Sequence, residues 1–347
     1  MKNKNLLGLF DGQNRMTKLI ELKDPLIAIG ETIDFESFRS ILEKATVQQP
    51  STKGGRPPFD RVMLFKALVL QKLYGLSDEQ LEYQINDRLS FMRFLELTLA
   101  DKVPDQKTFW FFRDALTKTG VIDEAFVLFR DKLRQHGYMV QEGKIVDASI
   151  VKAPIQRNSR EENDKIKNGE IPQEWSENKR RQKDVDANWT RKNGKNYYGY
   201  KNHIKIDAGS KLIDEFEVTQ ASIHDSQVME ELLEKTDSGQ PMWGDSAYDS
   251  KEIKKILRRH KMGCRIHKKG NRHAMLTKKQ REANTFKSRT RARVEHIFAS
   301  IRNRVKGLQI RCIGLIRSTA DITMQNLVYN MTRIVYIKKY EEIRLPI

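Results

Sequence analysis

Residues 143–153 read GKIVDASIVKA, and this segment decides the fold class. It is a short β-branched run with an apolar residue at nearly every position, as in a strand buried on both faces of a sheet. Asp147 lies in its middle. An ionised carboxylate among apolar neighbours is costly unless a cation or several donors satisfy it, so Asp147 is a candidate functional residue. Two structural alternatives stay open, a cap on a neighbouring turn and a pair with an arginine.

Downstream, the polar tract of residues 155–195 has almost nothing to bury, which predicts a flexible or poorly ordered insertion whose mixed charges could order on DNA. Strand patterning returns in YYGYKNHIKID and LIDEFEVTQ, which predict a hairpin. Next come a helix with Asp225 as its N-cap, a short strand in MWGDSAYD, a helix, a short strand in GCRIHKK and a long helix carrying VEHIFASIRNRV. The sequence therefore predicts an α/β domain with a mixed five-stranded sheet flanked by helices.

Upstream, residues 59–137 show the three-to-four spacing of apolar residues that is typical of helices. Ser77 opens a capping box, SDEQ, after the short turn YGLS, and the helices on either side resemble a helix-turn-helix. The loop QQPSTKGGRPP marks a boundary before them. The predicted organisation is an N-terminal segment and linker (1–58), an all-helical DNA-binding or dimerisation domain (59–138), the α/β domain (139–338, with the insertion at 155–195) and a C-terminal tail (339–347).

The net charge of +18 is concentrated in one part of the chain. Residues 251–311 contain 21 Lys or Arg and three acidic residues, so the remainder of the chain is neutral overall. Contact with a polyanion requires such clustering, whereas even spreading would suit solubility better. We therefore expect a nucleic acid as partner, with a solvated basic face as the plainer alternative.

Cysteine content and hydropathy indicate the cellular compartment. Cys264 and Cys312 are too few and too isolated to predict a disulfide framework or a thiolate metal site. No apolar run is long enough to span a membrane, and the first residues lack the apolar core of a signal peptide. We expect a cytoplasmic protein with no membrane partner.

Two more acidic residues stand where chemistry could occur. Asp245 lies at the end of a predicted strand, where ligands bind in open α/β sheets, although Asp before Ser is also common in turns and N-caps. Glu295 borders the apolar stripe of the last helix, and a plain ion pair with Arg291 is its alternative role. Together with Asp147 they form a set of oxygen ligands that suits hard cations such as Mg²⁺, two of which can serve phosphoryl transfer.

These residues belong to a series of motifs that covers most of the chain: GGRPPFDRVMLFKALVLQKLYGLSDEQL, GKIVDASIVKAP, YYGYKNHIKID, VTQASIHDS, WGDSAYDS, RARVEHIFASIRNR and NLVYNMTRI. With them the sequence resembles the DDE transposases of the insertion-sequence-5 family, whose catalytic domain has a ribonuclease H-like fold. The resemblance implies that Asp147, Asp245 and Glu295 are the catalytic residues. They would bind two Mg²⁺ ions per active site, for which Mn²⁺ can substitute.

The sequence departs from the family at one motif. Related transposases often carry Tyr, Arg, Glu and Lys at set spacing around the last acid, and the corresponding residues here are Ser288, Arg291, Glu295 and Arg302. The tyrosine is absent, but Arg302 can still grip a phosphate in place of the lysine. His224 and Asp225 match another family motif whose role the residues do not explain.

The resemblance implies a bacterial, nucleoid-associated transposase that binds the terminal inverted repeats of an insertion sequence, cleaves its ends and joins the 3′ hydroxyl to target DNA. Pairing two ends implies a homodimer on double-stranded DNA. Basic residues would position the phosphates; those expected to do so are Arg289, Arg291, Arg293, Arg302 and Lys201. Two alternatives remain, a ribonuclease H-like nuclease that cuts without joining and a catalytically silent DNA-binding protein derived from a transposase.

Overall fold

The computed structural model describes residues 10–45, 58–154, 156–270, 274–304 and 309–340. The chain divides into two compact units, one formed by Met1–Val121 with Ile334–Ile347 and the other by Ile122–Arg333. Within the described residues, no helix is both long and apolar enough to cross a membrane.

The first unit is helical. Aromatic side chains form its centre: the Phe38 and Phe65 ring centroids are 5.1 Å apart, and those of Phe35 and Phe94 are 5.6 Å apart. Helices before and after residue 58 therefore share one core, which the predicted segment of residues 1–58 did not anticipate. The predicted capping box at Ser77 is present. Its helices are α1 (Asp11–Glu21), α2 (Pro25–Thr32), α3 (Arg39–Leu42), α4 (Arg61–Tyr74), α5 (Asp78–Asp87), α6 (Leu89–Phe94) and α7 (Gln106–Lys118).

Helix α8 (Val121–Gln135) belongs with the second unit, although the sequence predicted a domain boundary after residue 138. The Phe126 ring packs edge-on against Phe216 at 4.7 Å between centroids. Arg130 pairs with Glu215 and Arg134 pairs with Asp214. The difference arises because an amphipathic pattern shows that a helix buries one face, and does not show which core receives it.

The second unit is built on a mixed sheet. Strand β1 (Lys144–Lys152) is antiparallel to β3 (Lys195–Asp207) and parallel to β5 (Pro241–Trp243), which in turn pairs in parallel with β6 (Gly263–Cys264). On its other edge, β3 pairs first with β2 (Asn188–Lys192) and then with β4 (Ile213–Gln220). The predicted mixed sheet with the β3–β4 hairpin is confirmed. Strand β2 is a sixth strand, within the tract that was predicted to be an insertion.

That tract is folded, so the expectation of a flexible insertion is wrong. Helices α9 (Arg160–Lys167) and α10 (Glu177–Gln182) precede β2. The buried Asp184 accepts hydrogen bonds from the Tyr200 hydroxyl and from the Gly314 N–H, and its backbone oxygen accepts one from the Tyr198 hydroxyl. Polar contacts to buried groups therefore hold this segment, and an apolar pattern cannot reveal them.

Helices cover both faces of the sheet: α11 (Met229–Leu232), α12 (Lys251–Arg259), α13 (Lys278–Arg304) and α14 (Leu315–Tyr340). Val146 packs into a core with Met229, Met242 and Leu257. Val151 packs into a second core with Tyr200 and Ile322. The two cores confirm that β1 is buried on both faces.

The helix predicted to begin after Asp225 starts differently. A 3₁₀ turn, Asp225–Val228, precedes α11, and its N-cap is His224, whose Nδ1 accepts a hydrogen bond from the Ser226 N–H at 3.3 Å. Asp225 instead pairs with Lys201 at 2.8 Å. The N-cap prediction was wrong by one residue because histidine can also accept this bond through its unprotonated ring nitrogen.

Candidate active site

Asp147 on β1 and Asp245, two residues beyond the end of β5, hold corresponding positions. In the parallel pairing of β1 with β5, Ile145 lies opposite Trp243, and each aspartate follows two residues later. The strands stay together beyond that pair, because a Cβ on Gly244 would lie 3.3 Å from Cγ2 of Val146. Neighbouring strands are about 4.8 Å apart, and residues at an even spacing share a face. The fold therefore brings two carboxylates that are distant in sequence to one face of the sheet.

Asp147 is largely buried, with 14% of its side chain exposed. Its Oδ1 accepts a hydrogen bond from the Ala148 N–H at 2.8 Å, and its Oδ2 accepts one from Arg291 Nη1 at 2.9 Å. Burial raises the pKa of the Asp147 carboxyl to about 6, and the charge of Asp245 adds to the rise, although the Ala148 N–H, Arg291 and Lys192 act in the opposite direction. Of the two structural alternatives for Asp147, the arginine partner is present, whereas its other hydrogen bond comes from the next residue of β1 and not from a turn.

Asp245 caps the 3₁₀ turn Ser246–Tyr248, as the plainer interpretation expected, and its Oδ1 accepts a hydrogen bond from the Ala247 N–H at 2.8 Å. Its Oδ2 accepts no hydrogen bond from any residue that the structure describes. One oxygen fixes the side chain and the other stays available.

Arg291 links Glu295 to Asp147. Helix α13 packs against β1 and β5 and buries Val294, Ile297 and Phe298, whereas Glu295 is exposed. Arg291 Nη2 lies 2.9 Å from Glu295 Oε1, while Nη1 of the same guanidinium holds Asp147. The helix ion pair expected from the sequence is present, and it also links Glu295 to Asp147.

The donor set fits a hard divalent cation. Asp147, Asp245 and Glu295 offer only carboxylate oxygens, and Glu295 Oε2 accepts no hydrogen bond from another described residue. Carboxylate oxygens are what Mg²⁺ and Mn²⁺ prefer. One arginine holds two of the three acids, so the cluster carries excess negative charge that a cation would balance.

A second acidic group lies elsewhere in this unit. Oxygens of Asp214, Glu234 and Asp237 all lie within 4.8 Å of one another, closer than those of the three acids above. Lys144 Nζ lies 2.9 Å from Asp214, and Lys205 Nζ lies 2.7 Å from Asp237. Arg134 contacts Asp214 and Glu234. Because these cations already balance the acids, we assign this group a structural role, in which burial is offset by ion pairs.

The predicted DNA-binding residues divide into two kinds. Arg289 and Arg302 are exposed on α13 and make no ion pair with any residue in the described ranges. Arg293 donates to the Ala208 carbonyl oxygen, and Lys201 donates to the Ile223 carbonyl oxygen and pairs with Asp225. Arg291 is held by the two acids. The sequence displays charge, but it does not show which cations already have partners.

Sequence reasoning missed His267, which borders the site. Its backbone N–H donates to the Gly244 carbonyl oxygen at 3.1 Å, next to Asp245. Burial lowers the pKa of His267, and the charges of Arg291 and Lys287 lower it further, against the charge of Asp245. The segment GCRIHKK predicted a strand, and extending that strand along Asp245 would have placed the histidine here.

The raised pKa of Asp147 predicts a pH-dependent gain in stability for Asp147→Asn. The carboxyl has an ordinary pKa of 3.8 and a folded pKa of about 6, so the folded protein binds more protons between these values and loses stability as pH rises through them. In EDTA at pH 7.5, Asp147→Asn should unfold at a higher temperature than the wild type. Its free energy of unfolding should be higher by at most about 3 kcal/mol. The gain should vanish near pH 4.

Asp249→Asn is the matched control with the opposite sign. Burial raises the pKa of Asp249, but a hydrogen bond from Lys254 and one from the Lys269 N–H hold it below its ordinary value. This variant should be less stable than the wild type at pH 7.5. Thermal unfolding followed by circular dichroism at several pH values measures both. If the stability difference between Asp147→Asn and the wild type stayed constant from pH 4.5 to 7.5, the raised pKa of Asp147 would be contradicted.

Comparison with known families shows two matches along the chain. Residues 14–115 match the family described as "Transposase domain (DUF772)", and residues 139–331 match the family described as "Transposase DDE domain". Among solved structures, the chain is similar to one titled "Cryo-EM structure of piggyBac transposase synaptic complex with hairpin DNA". The identity is 11% and the TM-score is 0.47, and the match covers 92% of this chain and 76% of that one.

Proposed function

Because this chain belongs to the family of transposases with a DDE domain, which matches residues 139–331, we propose that it is a metal-dependent DNA transposase that cleaves the ends of an insertion sequence and joins them to target DNA. The observation that carries the proposal is the register of β1 with β5. It aligns Asp147 with Asp245, and Arg291 links Asp147 to Glu295. The ordered motifs of the sequence further support membership in the insertion-sequence-5 family.

Asp147, Asp245 and Glu295 would hold the ions, for which we propose two Mg²⁺ per site with Mn²⁺ as a substitute. When bound, such ions stabilise the charge on the attacking and leaving oxygens of a phosphodiester. Asp147 and Asp245 are fixed by backbone N–H groups at 2.8 Å, so their remaining oxygens are oriented in advance. The ribonuclease H-like sheet supplies this rigidity.

The proposed reaction needs no covalent bond to the protein. In the first step water attacks the phosphorus at the element's end, a P–O bond breaks, and a 3′ hydroxyl and a 5′ phosphate are left. In the second step that hydroxyl attacks a target phosphodiester, which forms one P–O bond and breaks another. The 3′ oxygen of the cut target strand is the leaving group.

We propose Arg289 and Arg302 as phosphate contacts, since both are exposed and free of ion pairs among the described residues. Arg291 would exchange its carboxylate partners for a phosphate when DNA arrives. For Lys201 and Arg293, which are already bound within the fold, we propose supporting roles near the site.

The charge of the helical unit suits dimerisation better than extensive contact with the DNA backbone. Residues 1–121 and 334–347 contain 21 Lys or Arg and 18 Asp or Glu, so they lack the basic excess of residues 251–311. We propose that this unit helps to pair two protomers and contributes to recognition of the inverted repeats. The homodimer would act on double-stranded DNA at the bacterial nucleoid, in the cytoplasm.

A plasmid assay tests this function. The wild-type protein is incubated with Mg²⁺ and a supercoiled plasmid carrying the genomic DNA that flanks the gene, and pre-cleaved ends are separately offered a target plasmid. We expect end-specific cleavage in the first arm and joined product in the second. Cleavage without joining would identify a nuclease, and binding without cleavage would identify a catalytically silent DNA-binding protein.

A further inference from the structure

The turn between β2 and β3 forms a basic projection that the proposed mechanism does not use. Residues 191–195, named here the basic turn, include Arg191, Lys192 and Lys195 and no acid. All five residues are exposed. The three cations make no ion pair with any residue that the structure describes. Three unpaired positive charges on one short turn repel one another, so a polyanion would stabilise them.

The basic turn has a defined shape. Asn193 and Gly194 at its tip have positive φ angles of 51° and 75°, as in the type I′ turn that favours a tight hairpin. Below the tip, the Trp189 and Tyr198 ring centroids are 5.1 Å apart, and Trp189 Nε1 donates to the Asn158 carbonyl oxygen at 3.1 Å. The cations are therefore presented on a rigid support, which reduces the entropy lost when they bind a ligand.

Strand β3 passes close to β1 at Gly199. Gly199 has a φ of 152°, and a Cβ there would lie 2.2 Å from the Val151 carbonyl oxygen, so only glycine allows this approach of β3 to β1. Gly199 pairs with Lys152, five residues after Asp147 on β1, so the basic turn projects beyond the end of the strand that carries Asp147. The charge of Lys192 also acts to lower the pKa of Asp147, although 44 residues separate the two in the sequence.

Resting on the proposed function, we propose that the basic turn binds the phosphates of the DNA strand next to the bond that is cut. The acids of the cluster repel the DNA backbone, and a cationic element at the rim would offset that repulsion where the strand enters. Because the contacts are to phosphates, they add affinity and positioning without reading the base sequence.

The test replaces all three cations with alanine (Arg191→Ala, Lys192→Ala and Lys195→Ala) and keeps the Asn193–Gly194 tip. The probe is a fluorescein-labelled duplex of the genomic DNA flanking the gene. Anisotropy should show binding weaker by on the order of tenfold to a hundredfold, and the slope of log affinity against log salt should fall by about 0.9 for each lost phosphate contact. Hydroxyl-radical footprinting should lose protection only at nucleotides beside the cut.

Two further triple variants serve as controls. Arg191→Lys, Lys192→Arg and Lys195→Arg preserve the charge and should retain binding, which separates charge from folding. Three cations of the same tract that already have acidic partners match the loss of charge and should leave the salt slope unchanged; the substitutions are Lys165→Ala, Lys167→Ala and Arg181→Ala.

The outcomes distinguish this inference from the proposed function. If the wild type binds and cleaves while the alanine variant keeps the wild-type salt slope and footprint, the inference alone is overturned. A change in self-association by sedimentation with unchanged DNA binding would also overturn it, and would assign the basic turn to a protein partner. If the wild type neither binds nor cleaves the duplex, both fail together.

Discussion

Glu295→Gln should reduce the rate of end cleavage by about a thousandfold or more, which corresponds to about 4 kcal/mol in the activation barrier. The change keeps the size of the side chain and removes the charge that a divalent cation needs. It should fold normally because 61% of the Glu295 side chain is exposed and, among the described residues, it pairs only with Arg291. Binding to the duplex should stay within about threefold, since phosphate contacts supply most of the affinity.

The matched control is Glu282→Gln on the same helix. Glu282 is exposed and makes no hydrogen bond or ion pair with any residue in the described ranges, so its loss should leave cleavage and binding unchanged. Cleavage is measured in single turnover with saturating protein. If Glu295→Gln lost binding and cleavage in equal measure, Glu295 would be a structural residue, and the metal assignment would be wrong at this position.

Lys205→Met should reduce the free energy of unfolding by about 3–5 kcal/mol, as is usual when one partner of a buried ion pair is removed. The Lys205 side chain is fully buried, with Nζ 2.7 Å from Asp237 and 3.3 Å from Asp214. Burial acts to lower its pKa, but the charges of Asp214 and Asp237 raise the pKa of Lys205 above its ordinary value. The substitution would leave those buried acids short of a cation.

Urea unfolding measures this loss. The exposed pair of Lys167 with Asp164, at 3.9 Å, provides the control, because Lys167→Met should change stability by less than about 1 kcal/mol. Adding Asp237→Asn to Lys205→Met should recover part of the stability by removing an unpaired charge. A loss below about 1 kcal/mol for Lys205→Met would contradict the structural role given to this cluster.

The β1 segment shows what the sequence can predict. An unbroken apolar run around one aspartate predicted a strand buried on both faces, and Val146 and Val151 do pack into separate cores. The same logic located Asp245 at a strand end and Glu295 beside an apolar stripe. Such patterns are local; the pairing of β1 with β5 then aligns Asp147 with Asp245, and Arg291 links Asp147 to Glu295.

Contacts between distant polar groups escaped prediction. Asp184 is buried among hydroxyl and N–H donors, and nothing in the polar tract around it marks such a centre. Arg134 ties α8 to the second unit through ion pairs with Asp214 and Glu234, which lie 80 and 100 residues away in the sequence. The sequence predicts a DNA contact for Lys201 and does not reveal its pair with Asp225, which lies in another element. In each case the deciding energy comes from a partner that sequence spacing does not reveal.

Site-directed oxidation tests the central claim, that Asp147, Asp245 and Glu295 bind a divalent ion together. Fe²⁺ replaces Mg²⁺ and, with ascorbate and peroxide, cuts the polypeptide beside its ligands, and mass spectrometry maps the cuts. We predict cuts near residues 147, 245 and 295 that excess Mg²⁺ suppresses and that Glu295→Gln weakens. Cuts near Asp214 and Glu234 instead, with none at the three acids, would contradict the claim.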